Sequence, residues 1–243
     1  MNIFHISLLA VILFAAGSCK GKKEDPVEAA KKQQEEYYRQ NLLKVDSLKA
    51  LVREGDIVTR TSNAWDSEQI KDFQQKDKTF THAGIAVLQD GKIKICHVMG
   101  KDSVYKSDLT FYEQIDSFLN PRIYTAFGIF RFNLDSAQTR SMLAFADNCV
   151  QKKIPFDYLF ETKTDDALTC TELVAKAVTS ATKGTVKFTN TPITERRHVN
   201  LVKQYYRRYK PQDSDIIGRP IIAVDDITTN PAIKEIKRFL CIR

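Results

Sequence analysis

Apolar residues recur at helical spacing through Tyr38, Leu42, Val45, Leu48 and Val52, which predicts one amphipathic helix over 27–53 that Gly55 stops. The period then shortens. Asp56-Ile57-Val58-Thr59-Arg60 alternates as a strand does, and the runs 81–88, 92–99 and 126–132 have strand length and β-branched content. Asp90-Gly91 joins the first two of these runs. Both residue types tolerate the left-handed backbone of a two-residue hairpin turn. Residues 67–75 read as a short helix. Residues 136–152 and 169–182 return to the helical period, each with a capping side chain at its start: Asp135 or Ser136 for the first, Thr169 for the second. Beyond Gly184 the pattern thins. It leaves a strand over 221–224 and a closing helix over 231–240, with Pro231 near its first turn. The order predicts an α+β fold, a small antiparallel sheet or open barrel with helices packed to one side.

The first residues do not belong to that fold. Residues 6–16 are apolar apart from Ser7. A bilayer-spanning helix takes about 20 residues, so this shorter run fits the core of a signal peptide instead. Gly17, Ser18 and Cys19 follow, and small residues before a cysteine resemble a bacterial lipobox, with Ala16 where leucine is commonest. The chain therefore divides into a signal peptide over 1–18, a charged lipid-anchored tether over 19–36 beginning at Cys19, the helix over 37–54, and a domain over 55–243. The tether turns helical towards its end. Export to a bacterial cell envelope, with membrane attachment through the lipid, is the expectation.

Composition narrows the function classes. The chain has 243 residues, 43% apolar and 28% charged, enough for one sizeable core. A net charge of +7 favours anionic surfaces. Its lysines and arginines are scattered, however, with clusters only at 20–23 and 207–210. No helix-turn-helix, zinc-finger or RNA-recognition pattern accompanies them, which argues against nucleic acid. The four cysteines after Cys19 are too sparse for a disulfide framework and make no CxxC pair.

Thr169 and Glu172 fit a capping box ahead of an apolar helix, which places Cys170 at the first helical residue. There a thiol meets unpaired amide hydrogens and the positive end of the helix dipole, both of which favour thiolate. The same amides can hold an oxyanion. Inert packing is the alternative for any lone cysteine near a helix. Cys149 illustrates it, sharing a helix face with Met142 and Phe145; Cys96 lies in a strand and Cys241 in the tail. His82 opens an apolar strand, and the small Ala83 and Gly84 let the backbone there approach another element. Antiparallel pairing across Asp90-Gly91 brings His97 onto the neighbouring strand. His198, beside Arg196 and Arg197, reads as surface. A metal site drawn from His82, Cys96, His97 and Cys170 is the rival reading, but no short paired spacing supports it.

Taken in order, Gly55-Asp56-Ile57-Val58, Thr81-His82-Ala83-Gly84-Ile85, Phe156-Asp157-Tyr158 and Thr169-Cys170-Thr171-Glu172-Leu173-Val174 resemble the permuted papain-like amidases of the NlpC superfamily, in the YiiX/YaeF-like branch. The resemblance covers roughly residues 55–183. It implies a thiol hydrolase without a cofactor, with Cys170 as nucleophile, His82 as general base and His97 as the third, orienting group, where many members of the branch carry Glu. It also matches Asp157 and Tyr158 to a motif beside the site. Peptide or acyl-amide substrates follow, with cell-wall peptides within reach of an envelope protein. Permuted relatives act on lipid acyl groups, so a lipid amidase or acyltransferase is the alternative, and a non-catalytic ligand-binding lipoprotein is a third.

Overall fold

The computed structural model describes residues 25–101, 107–205, 207 and 210–242. The leader over 1–18 and Cys19 lie outside the described residues, as do parts of the 207–210 basic cluster. The elements run α1 (Pro26–Lys49), β1 (Ile57–Ser62), α2 (Trp65–Ile70), β2 (His82–Gln89), β3 (Lys92–His97), β4 (Phe111–Gln114), α3 (Ile115–Phe118), β5 (Tyr124–Phe132), α4 (Ser136–Gln151), α5 (Cys170–Ala181), β6 (Thr191–Pro192), α6 (Arg196–Tyr205), β7 (Pro220–Ile221), α7 (Val224–Thr228) and β8 (Ile233–Leu240). Six strands form one antiparallel sheet in the order β4-β3-β2-β1-β5-β8; β6 and β7 pair separately. The large sheet is open at β4 and β8, so it is not a closed barrel. Among the described residues no helix is long and apolar enough to cross a membrane.

The β2–β3 hairpin turns at Asp90 and Gly91, with φ of 52° and 72°. Both positive angles suit the right-handed strand twist on either side. Strand alternation then sends side chains to two faces. Ile57, Ala83, Ile85 and Phe130 meet α4 and α5 on one face; Val58, Ala86, Phe127 and Ile129 meet Val45 and Leu48 of α1 on the other. Helices therefore cover both faces. The expected one-sided packing is corrected by α1, whose buried stripe needs a partner that only the second face supplies. Asn41 ties the same helix to the chain's end, donating to Ile242 O at 2.9 Å and accepting from Ile242 N at 3.0 Å.

Four boundaries differ from expectation. α1 begins at Pro26, where the helical period read from 27 puts it but ahead of the division between tether and helix at 36 and 37, because Asp25 caps it by accepting from Val27 N at 2.9 Å. It ends at Lys49, so Gly55 is not its stop. Gly55, at φ 87°, instead turns the chain into β1 and donates to Ala86 O at 2.8 Å. The strand read over 221–224 shrinks to the Pro220–Ile221 bridge and gives way to α7. The closing helix over 231–240 is instead β8, the sheet's edge strand beside β5.

Candidate active site

Local capping sets the position of the thiol. Thr169 accepts from Glu172 N at 3.2 Å through its hydroxyl, while Glu172 accepts from Thr169 N at 2.7 Å. That reciprocal pair fixes Cys170 as the first residue of α5. The segment before it is held in turn. Asp157 N donates to Leu168 O at 3.0 Å, and Phe156 bridges Leu168 in parallel.

Two elements converge on the sulfur. α5 packs over Ala83 and Ile85 on one face of β2. His82, the first residue of β2, and Arg60, its register partner on β1, turn towards Phe118 on the other face. Arg60, His82 and Cys170 line a single cavity of about 450 Å³. The Ala83 amide and that of Thr171 at the helix start lie near enough to the Cys170 sulfur to favour its thiolate.

His97 stands behind His82, fully buried, with Nδ1 2.9 Å from His82 Nε2. This close pairing depends on Gly84. A Cβ there would lie 2.5 Å from Ile95 Cγ2 and 3.1 Å from His97 Cβ. The small residue therefore admits β3 rather than the cysteine helix, which Ala83 faces. On its far side, His97 Nε2 lies 3.0 Å from Glu113 Oε2, an approach oblique to the ring N–H direction. Glu113 also accepts from Arg60 Nη1 at 3.1 Å. The Arg60 guanidinium stacks 4.0 Å from the Phe118 ring and 4.1 Å from that of Tyr124.

The electrostatics favour neutral groups at rest. Burial holds both imidazoles well below the usual histidine range, with the Arg60 charge adding to it and the His97 ring adding further at His82. Burial likewise pushes the Cys170 thiol up to about 11, against the pull of the Ala83 and Thr171 amides and Arg60. Removal of water thus outweighs the helix start, whose pull still runs towards thiolate.

The other sequence candidates have different places. Tyr158 lines the cavity, accepts from Lys101 N at 3.0 Å and donates to Asp108 at 3.2 Å. Asp157 is buried and accepts from Leu159 N at 2.7 Å and from Glu161 N, which folds the following loop around its carboxylate. Burial pushes that carboxyl up. Cys149 is core. His198, read as surface, is buried and stacks 4.6 Å from Phe73, because α6 turns it inward with Val199 and Val202. Cys96 points away from His97, its sulfur donating to Ala146 O at 3.8 Å, so the four candidate metal donors do not assemble. Sequence reasoning missed Glu113 and Arg60. The alternation of β1 placed a charged residue at an inward position, which was the available sign of Arg60; nothing local marked Glu113.

Comparison with known proteins identifies a fold. Searches against family models and against curated proteins give no match. Among solved structures, the metalloprotein YiiX of Escherichia coli O157:H7, DUF1105, superposes with a TM-score of 0.61 at 17% sequence identity. The match covers 77% of this chain and 98% of that one.

Proposed function

We infer a function from a YiiX-like fold whose helix-start cysteine opens on a cavity beside a buried histidine pair. We propose that the chain is a cysteine hydrolase of the permuted papain-like, NlpC-superfamily type, cleaving amides whose acyl group is long and apolar. On this reading it works as an envelope lipoprotein anchored through Cys19. One observation carries it: Cys170 and His82 face the same cavity, whose walls are mostly apolar, among them Ile70, Phe73, Phe156, Leu201 and Val202. Such walls reward an alkyl chain by roughly 25 cal/mol per Å² buried and offer little to a polar cell-wall peptide. The lipid-directed alternative is thereby favoured over peptidoglycan peptides.

The reaction starts from a neutral pair. As the sulfur attacks the carbonyl carbon, a C–S bond forms and His82 takes the thiol proton. The carbonyl electrons move onto oxygen, and the Thr171 and Ala83 amides beside the sulfur are available to hold that charge. The tetrahedral species collapses by breaking the C–N bond, and His82 passes its proton to the departing amine. Water then attacks the thioester, His82 takes one of its protons and returns it to sulfur, and the acid leaves. With an amine or alcohol in place of water the same steps transfer the acyl group.

The metal in the name of E. coli YiiX has no matching donor set here. Among the described residues no group of three or more His, Cys, Asp or Glu side chains is arranged to hold an ion. His82 and His97 are turned onto each other instead.

A thiol-directed probe tests the reading, together with a series of acyl amides of rising chain length. Cys170 is expected to label fastest, and turnover to rise with chain length. Turnover and labelling that survive Cys170→Ala would overturn the assignment. Equal rates for acetyl and long-chain amides would remove the acyl preference. Binding without turnover, with Cys170 alkylating no faster than a free peptide thiol, would favour a ligand-binding lipoprotein.

A further inference from the structure

The positions of the protons at this site can be deduced from a group that the sulfur never touches. Arg60 has only donors to offer. It is clamped between the Phe118 and Tyr124 rings, donates to Phe118 O at 3.2 Å, and needs an acceptor at position 113. An ionised Glu113 is that acceptor, and an ionised carboxylate can only accept. A ring nitrogen 3.0 Å from it is therefore stable only when it carries a proton, even at an oblique approach. His97 Nε2 is that nitrogen. A neutral imidazole has one proton, so His97 Nδ1 is bare. The atom facing it at 2.9 Å, His82 Nε2, must then carry the next proton. Nδ1 of His82 is left bare and basic.

We propose that Glu113, held by Arg60, is a positioning residue that fixes the tautomers of both histidines and leaves His82 Nδ1 as the base for Cys170. Only the last step rests on the cysteine-hydrolase reading; the chain of protons is a property of the resting protein. The role replaces what a carboxylate directly behind the base would do. Two imidazoles in series extend the reach of one acid by a strand, from β2 through β3 to β4.

Glu113→Leu and Glu113→Gln together test this. Arg60 Nη1 and His97 Nε2 both meet the same carboxylate oxygen, Oε2. An amide oxygen in that place still accepts from both, so Glu113→Gln keeps the chain of protons. Glu113→Leu removes the acceptor and frees both rings to change tautomer. Ring-nitrogen NMR on ¹⁵N-histidine-labelled protein reads it directly, in a Cys170→Ala background where neither sulfur nor turnover intervenes. His82 Nδ1 is expected to show a pyridine-like shift in the parent and after Glu113→Gln, and to move towards the pyrrole-like value after Glu113→Leu. Pairing Glu113→Leu with Arg60→Met removes the guanidinium left without its carboxylate and should give the same shift where the single variant does not fold. With Cys170 intact, Glu113→Leu should lower kcat, with KM little changed, towards the loss of about 10⁴-fold expected when a base is held in the wrong tautomer, and Glu113→Gln should lower it far less. A protonated His82 Nδ1 in the Cys170→Ala protein, before Glu113 is altered, would overturn the proposal. So would a tautomer pattern indifferent to Glu113→Leu. Should the tautomers respond as stated while Cys170→Ala leaves activity intact, the hydrolase reading fails and the lock stands.

Discussion

α4 and α5 are near twins in construction. Both start with complete capping boxes, Asp135 with Gln138 and Thr169 with Glu172, and both pack on the same face of the sheet. Each carries one cysteine, and burial pushes both thiols up to about 11. Resting acidity therefore does not distinguish them. Cys149 sits near the end of α4, with Met142 and Ala146 in the same core. Cys170 sits at the start of α5, on a cavity shared with His82 and Arg60, with the Ala83 and Thr171 amides and the Arg60 charge all favouring its thiolate. What makes one thiol a candidate nucleophile is the arrangement waiting for its proton and its negative charge, not a lower starting pKa.

The sharpest way to break this comparison is to truncate each cysteine. Cys170→Ala should reduce turnover by more than about 10³-fold, the loss expected of a covalent nucleophile. Cys149→Ala should leave kcat and KM alone and cost about 1–2 kcal/mol of stability in chemical denaturation, as a small core deletion does. Equal activity losses would place the chemistry elsewhere.

Alkylation kinetics sharpen it further. With both thiols protonated at neutral pH, Cys170 should still react faster with a neutral electrophile because His82 can take its proton. His82→Ala should remove that advantage, by about 10²–10⁴-fold, and leave Cys149 unchanged. A Cys170 rate that ignores His82→Ala would show that the two side chains do not act together. The cavity gives a smaller effect. Ile222→Trp, in its wall, should depress kcat/KM for long acyl amides by about 10–200-fold and spare acetyl substrates. A uniform loss across chain lengths would mean that the acyl group lies elsewhere.

The two helices were legible in the sequence because caps and period agreed, and the β2–β3 hairpin because Asp90-Gly91 named its own turn. Cys170 and His82 came with them. β8 was misread for an identifiable reason. Phe130 pairs with Glu235 but Ile129 with Lys237, so Ile236 is an extra residue in the ladder. That bulge spaces Ile233, Ile236 and Phe239 three apart, the interval of a helix. α6 was hidden by its basic residues, and with it the burial of His198. Glu113 was illegible for a deeper reason. Its nearness to His97 depends on how β4 pairs with β3 after the chain leaves the sheet at His97 and returns at Phe111, and no local pattern encodes that register. Positions within an element can be read from neighbours, whereas the partner across two strands cannot.

The smallest predicted effect concerns pH and comes from the histidines behind Cys170, which Cys149 lacks. Both are held neutral in the fold, below the ordinary value of 6.5. Above pH 6.5 neither state binds these protons, and the stabilisation is complete. Below it the unfolded chain takes up protons that the fold refuses, so stability falls with pH by up to about 1.4 kcal/mol per unit for each histidine. Glu172, Asp157 and Asp226 oppose this at lower pH. Their folded carboxyls are raised by burial, so the native state gains protons there first. The difference between proteins isolates the histidines. Between pH 7 and about 5.5, denaturant midpoints should fall more steeply for the parent than for a His82→Gln, His97→Phe double variant, while Cys149→Ala keeps the parent's slope because its thiol does not titrate in that window. Identical slopes for the parent and the double variant would mean that the buried pair accepts protons as readily as a free chain. The neutral starting state from which Cys170 and His82 are argued to react would then be wrong.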